Sequence, residues 1–354
     1  MGSLIIDPAT NKTVFTFFSE FGEEWPGQSA IEALALGVIM VFAFLGNGMV
    51  IWAIYRNPKM RKTTNYFIGN LAVADLLFAL WIPFIMATRI TRNWVFGNFI
   101  CKLVTYVQFV SGISSILTLM MISIERFFSI CLLSSKKMTK EIACFVILGI
   151  WILSSSFPIP IAWAQLEQQL VLDDVTLTYC GIMWPEHFHI DVYLSFMVTF
   201  FFIAPLMIIL INYYKIFKFV RRSLRRTGRL TRSEIRTRRK LRLTKMFVAI
   251  VVSFVLMWSP FFVVSFLAVY LHSITSTQFT ITIIVALANT GQNPIIYGFF
   301  NKAFRKEFKS IFHCERQLQP AEITEVSKKY VATSETSKYI GTGTECSAGA
   351  SQTV

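Results

Sequence analysis

Hydrophobic residues along this chain gather into seven long runs, 33–55, 64–88, 103–124, 142–166, 192–214, 246–271 and 278–301, and Asp75 is the only formal charge in any of them. A helix needs about 20 predominantly apolar residues to cross the hydrocarbon core of a bilayer, and every run reaches that length. The other structure that can span lipid, a closed barrel, would alternate apolar and polar residues with a period of two. These runs are apolar on all sides, so the pattern predicts seven transmembrane helices. It divides the chain into an outer segment 1–31, a bundle 32–301, an amphipathic stretch 302–314 and a tail 315–354. The expected fold class is an all-α integral membrane protein, a seven-helix bundle followed by one short helix on the membrane surface.

Charge sets the orientation. Residues 215–245 hold fourteen Lys and Arg against one acid, Glu234, which is thirteen of the chain's net +14. Arg56, Lys59, Arg61 and Lys62 follow the first run, and Lys136, Lys137 and Lys140 follow the third. The stretch 165–191 is the opposite, with Glu167, Asp173, Asp174, Glu186 and Asp191 and no Lys or Arg. Lys and Arg mark cytosolic loops. The N-terminus is therefore expected outside, the C-terminus inside, and the protein in the plasma membrane, with the first span serving as the insertion signal. Asn11-Lys12-Thr13 then reads as a glycosylation sequon on the outer side. The basic inner face suits anionic inner-leaflet lipids and an acidic cytosolic partner. Nucleic acid is not an expected partner, because the basic run lies between two spans.

Several residues stand out against this apolar background. Cys101 and Cys180 are the two cysteines on the oxidising side, which predicts a disulfide. Asp75 is costly in lipid and should face the bundle interior. It is either a protonated or hydrogen-bonded carboxyl, or it meets the oxygens of Asn47, Ser115, Asn289 and Asn293 around a hard cation such as sodium. Pro83, Pro158, Pro160, Pro205, Pro260 and Pro294 each remove a backbone donor and can kink a helix. Trp258 and Phe254 flank Pro260, and Asn293-Pro294-Ile295-Ile296-Tyr297 repeats the arrangement near the cytosolic end. Kinks beside large rings can be bistable. Glu125-Arg126-Phe127, at the end of the third run, reads as an interfacial charge pair or as a latch. After the seventh run, Phe300, Phe304, Phe308, Ile311 and Phe312 share one helical face and Lys302, Arg305, Lys306 and Lys309 lie elsewhere, the signature of an interfacial helix. Cys314 at its end suits palmitoylation.

Taken in order, these residues resemble the rhodopsin-like (class A) G-protein-coupled receptors, and the peptide receptors among them most. The resemblance runs from Glu32 to Cys314. It is carried by Gly46-Asn47, Asn70-Leu71-Ala72 with Asp75-Leu76, Trp94-Val95-Phe96-Gly97, Cys101, Glu125-Arg126-Phe127, Trp151, Pro205 with Tyr213, Phe254 with Trp258-Ser259-Pro260, and Asn289 to Tyr297. Such a receptor implies roles. Arg126 would leave Glu125 to meet a Gα subunit of a heterotrimeric G protein, and Tyr213 and Tyr297, with Asn293 and Pro294, would hold the active form. Phe254 and Trp258, beside Pro260, would relay ligand contact to the sixth span. Asp75, Ser115, Asn289 and Asn293 would bind an allosteric sodium ion; no other cofactor or metal is expected. The chain would not be an enzyme, since the chemistry is nucleotide exchange on its partner. Two departures stand out. Phe127 follows the arginine where Tyr is usual. At the foot of the sixth span Lys240 and Arg242 replace the acid that often pairs with Arg126, so the latch would be weak or would rest on Glu125 alone.

The ligand is approached by exclusion. The seventh run has no lysine for a retinal Schiff base, and Leu287 stands at that position; the third has no carboxylate for an amine, and Gln108 stands at the corresponding turn. The expected lining is Val104, Gln108, Phe109, Phe261, Phe262, Ser265 and Ile283, apolar with few polar handles. Tyr179-Cys180 with Trp184 resembles the hairpin loop of peptide receptors, and the acids of the outer surface would steer a cationic ligand. A basic amidated neuropeptide is the leading ligand class. A lipid or other small molecule, or constitutive activity without a ligand, is the alternative, and a transporter or channel a different class that lacks repeated halves here. The tail is polar and expected to be disordered. Thr333, Ser334, Thr336 and Ser337 are candidate phosphosites for receptor kinases, read in turn by arrestin.

Overall fold

The computed structural model describes residues 4–6, 13–15, 25–131, 138–172, 175–185, 187–225, 232–271 and 276–313. Outside the bundle, β1 (Leu4–Ile6) and β2 (Thr13–Phe15) pair antiparallel. The bundle itself is built from α1 (Gln28–Arg56), α2 (Thr63–Ala79), α3 (Ile82–Thr91), α4 (Gly97–Cys131), α5 (Lys140–Ser156) and α6 (Ile159–Ala164). It continues through α7 (Ile190–Val198), α8 (Ala204–Arg225), α9 (Arg232–Leu271) and α10 (Ser276–Phe300), and α11 (Lys302–His313) follows. Seven spans long and apolar enough to cross a membrane result among the described residues. The chain is thus the seven-helix membrane bundle with one further short helix that the apolar runs predict.

Proline explains why ten helices make seven spans. Pro83 lies in the first turn of α3, and Pro160 in that of α6, positions where the missing N–H has no helical partner to lose. In the fifth span a π-helical turn, Thr199–Ile203, ends two residues before Pro205. Pro260 and Pro294 instead stay inside α9 and α10. The basic stretch, legible only as a loop, is largely helical: α8 runs to Arg225 and α9 starts at Arg232. Arg and Lys are good helix formers, so the flanking spans extend beyond the bilayer through them.

Lipid offers no hydrophobic drive between helices, so small residues and polar contacts fix the packing. A Cβ on Gly46 would come within 2.8 Å of Pro294 Cγ, so α1 and α10 meet at a glycine. The adjoining Asn47 donates from Nδ2 to the Thr290 carbonyl at 2.8 Å and to the Ala43 carbonyl at 2.9 Å. Asn70 ties three helices together: its Nδ2 donates to Thr118 Oγ1 of α4, and Trp151 Nε1 of α5 donates to its Oδ1, both at 2.8 Å. Around these ties lie two apolar cores. The inner one gathers Val50, Phe67, Leu71, Ile122, Phe247 and Tyr297. The outer one gathers Leu36, Phe78, Trp81, Val104 and Leu287 around Cys101 and Cys180. Large apolar side chains such as Leu45, Phe145 and Phe299 face outward, as a lipid solvent requires.

Candidate functional site

On the outer side, β3 (Gln165–Leu172) and β4 (Val175–Ile182) form an antiparallel hairpin in the register Gln165↔Ile182 to Leu172↔Val175. A Cys101–Cys180 disulfide joins β4 to the first turns of α4. The segment between α3 and α4, with the first turn of α4, fastens the hairpin further. Trp94 N donates to Thr178 O and Thr178 N to Asn93 Oδ1, both at 2.7 Å, and Glu167 N donates to Asn98 Oδ1 at 3.1 Å. Arg92 turns the chain there with a left-handed φ of 52°, and Gly97 opens α4 with φ 75°. The loop is thereby held as a rigid hairpin at the outer end of α4.

Beneath it, the proposed lining residues fall into two groups. Val104 is fully buried and packs with Ile283 and Trp258 in the outer core. Phe261 and Phe262 lie against Trp258, with ring centroids 5.9 and 6.0 Å away, while Phe254 is 6.1 Å away on its other side. Phe262 is nonetheless 46% exposed and also meets Phe202 of the π turn. Gln108 and Phe109 are half-buried on α4, and the Gln108 amide has no hydrogen-bond partner among the described residues. The side chain of Ser265 lies outside what the structure describes. Phe78 makes a perpendicular contact with Trp258 at 5.7 Å, a neighbour from α2 that the sequence did not single out.

Also unforeseen is a buried ion pair. Glu32 and Arg89 each lie one residue outside an apolar run, yet their side chains are 8% and 3% exposed, 2.6 Å apart, and join α1 to α3. Gln28 Nε2 donates to the second Glu32 oxygen at 2.8 Å. An ion pair removed from water is tolerable only when further hydrogen bonds support it; here Arg89 Nε donates to Glu32 Oε2 at 2.7 Å and Gln28 supports the other carboxylate oxygen.

At mid-membrane, Asn293 Nδ2 donates to Asp75 Oδ2 at 2.9 Å, bringing two of the expected sodium residues together. Ser115 and Asn289 are buried on α4 and α10 without a hydrogen bond to Asp75. Asn293 Oδ1 and Asn289 Nδ2 are buried with no partner at all among the described residues. Asn47 is committed to α10 backbone and stands apart from this group. A buried carboxylate with an amide oxygen to spare and a serine on the facing helix is a donor set that fits a hard cation.

At the cytosolic end, Arg126 Nε donates to Glu125 Oε2 at 2.5 Å, and Arg126 Nη2 donates to Thr64 Oγ1. Thr64 Oγ1 in turn donates to Glu125 Oε2 at 3.1 Å. The guanidinium lies 5.9 Å from the centre of the Phe247 ring, so α2, α4 and α9 converge on it. Arg126 is thus closed onto Glu125 with Thr64 as a third partner, and Arg242 of α9 is exposed. Tyr213 and Tyr297 belong to the inner core, and both hydroxyls are buried without a hydrogen-bond partner among the described residues. Tyr297 stacks on Phe304 of α11 at 5.5 Å. Asn11, Cys314, Thr333, Ser334, Thr336 and Ser337 lie outside the described residues.

A bundle of seven apolar spans, with a disulfide-tied hairpin at its outer end and an arginine paired to the neighbouring glutamate at its inner end, is the architecture of a membrane receptor. Comparison with known proteins agrees. The family described as 7 transmembrane receptor (rhodopsin family) matches residues 46–297. Galanin receptor type 1 of Mus musculus is 31% identical over 297 residues, covering 81% of this chain and 83% of that receptor. Somatostatin receptor type 4 of Rattus norvegicus is 30% identical over 77% of this chain and 70% of its own length. Neuropeptide FF receptor 1 of Homo sapiens is 30% identical over 89% and 76%. The chain belongs to the rhodopsin family of seven-transmembrane receptors.

Proposed function

We propose that this receptor binds a basic, amidated peptide at its outer face and, on binding, promotes nucleotide exchange on the Gα subunit of a heterotrimeric G protein. The observation that carries the coupling half is the inner end of the bundle. Arg126 is closed onto Glu125 and Thr64 while the Tyr213 and Tyr297 hydroxyls stay buried and unpaired. Unpaired buried hydroxyls cost free energy. An arrangement in which α9 swings out, Arg126 is released and the two tyrosines find partners would recover it. Trp258, touching Phe78, Phe254, Phe261 and Phe262, is the body through which occupancy of the outer cavity reaches α9 at Pro260. Ligand and G protein would each favour that open form, which makes their coupling reciprocal.

Three features support a peptide. The relatives named above include receptors for galanin, somatostatin and neuropeptide FF. The hairpin gives the cavity a rigid edge, and Gln108 offers an unpaired amide where an amine receptor would need a carboxylate. Val104, Phe109, Phe261, Phe262, Ser265 and Ile283 would complete the lining. Asp75, Ser115, Asn289 and Asn293 would hold a sodium ion that favours the closed form. In this reading residues 1–31 are extracellular and carry a glycan at Asn11, 32–301 form the bundle, 302–314 lie on the membrane with Cys314 palmitoylated, and 315–354 form the tail. Phosphorylation of Thr333, Ser334, Thr336 and Ser337 by receptor kinases would recruit arrestin, and the inner basic face would contact anionic lipid. The test is nucleotide exchange on a panel of Gα subunits in cells challenged with basic amidated peptides. A peptide response lost in Arg126→Ala is expected. Silence to every peptide at normal surface expression would shift the ligand to a lipid or other small molecule.

A further inference from the structure

The outer hairpin has an apolar face for which the signalling scheme has no use. Side chains alternate between the two faces of a strand. From the pairing of β3 with β4, Gln169, Val171, Thr176 and Cys180 therefore lie on one face, and Gln168, Leu170, Leu177 and Tyr179 on the other. The first face meets the bundle at Cys180, within the outer core, and is exposed beyond it at Gln169, Val171 and Thr176. The second face is the apolar one. Leu170 and Tyr179 are each only 3% exposed, yet neither belongs to the outer core around Cys180. The Tyr179 hydroxyl donates to Gln168 Oε1 at 2.7 Å, which satisfies the polar end of the ring within the same face. A buried apolar face turned away from that core requires a cover.

The N-terminal strands fit that need. Cα atoms of β2 come within 8 Å of β4, yet the two hairpins share no ladder among the described residues. Addition of a strand at the edge of β4 is blocked at Thr178, whose N–H and carbonyl are taken by Asn93 and Trp94. A close approach without a ladder, beside a blocked edge, fits a layer laid on the face of β4. The sequence agrees, because Leu4-Ile5-Ile6 and Thr13-Val14-Phe15 are apolar strands outside every membrane span. The two layers are held very differently. β4 is bolted to α4 by the disulfide, and three hydrogen bonds tie its hairpin to residues 93–98. The N-terminal pair consists of Leu4↔Phe15, Ile5↔Val14 and Ile6↔Thr13, and an isolated two-stranded hairpin is marginal at best in water.

We propose that the apolar face of the outer hairpin is a docking surface for this chain's own N-terminal strand pair, which covers it as a displaceable lid. The fixed layer is β3–β4 and the movable layer is β1–β2. Undocking bares Leu170 and Tyr179 to the outer medium, where an apolar segment of an incoming peptide can take the same face. The docked pair therefore competes with the ligand and slows its association. Docking itself is independent of which ligand the receptor takes; the competition rests on the peptide reading given above.

The test uses the full chain in lipid nanodiscs and hydroxyl-radical footprinting, which reads how fast each side chain is oxidised. In the parent, Leu170 and Tyr179 should label slowly and Val171, 60% exposed, quickly. Alternate residues of the strand pair lie on opposite faces, so two variants cover both cases: Ile5→Asp with Val14→Asp, and Leu4→Asp with Phe15→Asp. At least one should raise the labelling of Leu170 and Tyr179 severalfold while Val171 keeps the parental rate. Ser19→Asp, a charge in the same segment outside both strands, should change nothing. A benzoylphenylalanine photoprobe in place of Phe15 should cross-link to residues 175–182. Parental labelling of Leu170 and Tyr179 in both variants would overturn the docking, and so would cross-links confined to other parts of the chain. A rise shared by Val171 would also overturn it, because the hairpin itself would then have loosened. The undocked variant should reach half-maximal nucleotide exchange severalfold sooner after addition of the basic amidated peptide that activates the parent; an unchanged time would overturn the competition. Silence of parent and variants to every peptide would be a failure of the peptide reading alone, since labelling and cross-linking decide the docking without a ligand.

Discussion

Thr64→Val isolates the hydroxyl that links the latch to α2 while keeping shape and volume. The hydroxyl accepts from Arg126 Nη2 and donates to Glu125 Oε2 at 3.1 Å, and the Arg126 and Glu125 side chains are only 7% and 11% exposed. Valine removes both bonds and leaves the 2.5 Å Arg126–Glu125 pair intact. A hydrogen bond to a charged group contributes roughly 1.5–3 kcal/mol, and water entering beside the guanidinium recovers part of that. A net loss of about 2 kcal/mol from the closed state follows, a factor of about 30 in the closed-to-open ratio. Basal nucleotide exchange on Gα, measured with purified receptor in lipid nanodiscs, should rise by tens of fold if the open form is initially rare. Thr64→Ser keeps the hydroxyl and should stay near the parent. A Thr64→Val protein of normal thermal stability with parental basal exchange would refute the reasoning, because the bonds would then contribute equally to both states.

Other consequences are structural. Gly46→Ala would drive a Cβ into the Pro294 ring and should cost about 1–3 kcal/mol by overpacking, read as a lowered melting temperature in detergent. Arg89→Met strands Glu32 in a buried site and should cost about 3–5 kcal/mol; adding Glu32→Gln should restore most of it, and a double variant no better than the single would contradict the burial of the pair. Trp151→Phe leaves Asn70 Oδ1 unpaired between three helices, for an expected loss of about 1–3 kcal/mol in thermal unfolding. Cys101→Ser opens a loop spanning 79 residues, for which chain entropy predicts a loss of about 4–5 kcal/mol; surface expression should fall, and Cys180→Ser should fall equally, since the two share one bond.

The seven spans were legible because lipid imposes a length and an all-round apolar pattern that nothing else in the chain imitates. The fold's polar ties were legible only as unusual residues. Asp75 announced itself as a charge in lipid, and the structure gives it Asn293, 218 residues away. Thr64 did not, because a Thr beside the start of a helix reads as a cap, and its bond to Arg126 depends on the crossing of α2 and α4. Glu32 and Arg89 were hidden for a different reason. Each lies just outside an apolar run, where charge is ordinary, and only the packing of α1 on α3 buries them together. Asn57 and Glu307, 250 residues apart, are likewise ordinary surface residues until α11 folds back towards the first inner loop.

These three cases share a cause that bears on function. A local pattern reports how a segment meets its solvent, so it finds spans, kinks and outward faces. A switch requires contacts that exist in one arrangement of the helices and are absent in another, and such contacts join segments far apart in sequence. In this chain Thr64 to Arg126 joins helices far apart in sequence at the cytosolic end, and Tyr297 to Phe304 joins two helices at that end across a short connection. Asn47 to Thr290 and Asn70 to Trp151 also join distant segments, but they sit within tightly packed faces, one of them beside the Gly46–Pro294 contact. The first two contacts should therefore exchange when a G protein binds, and the second two should persist. Hydrogen exchange with and without bound G protein would separate them, with protection around Thr64 and Phe304 changing and that around Asn70 constant.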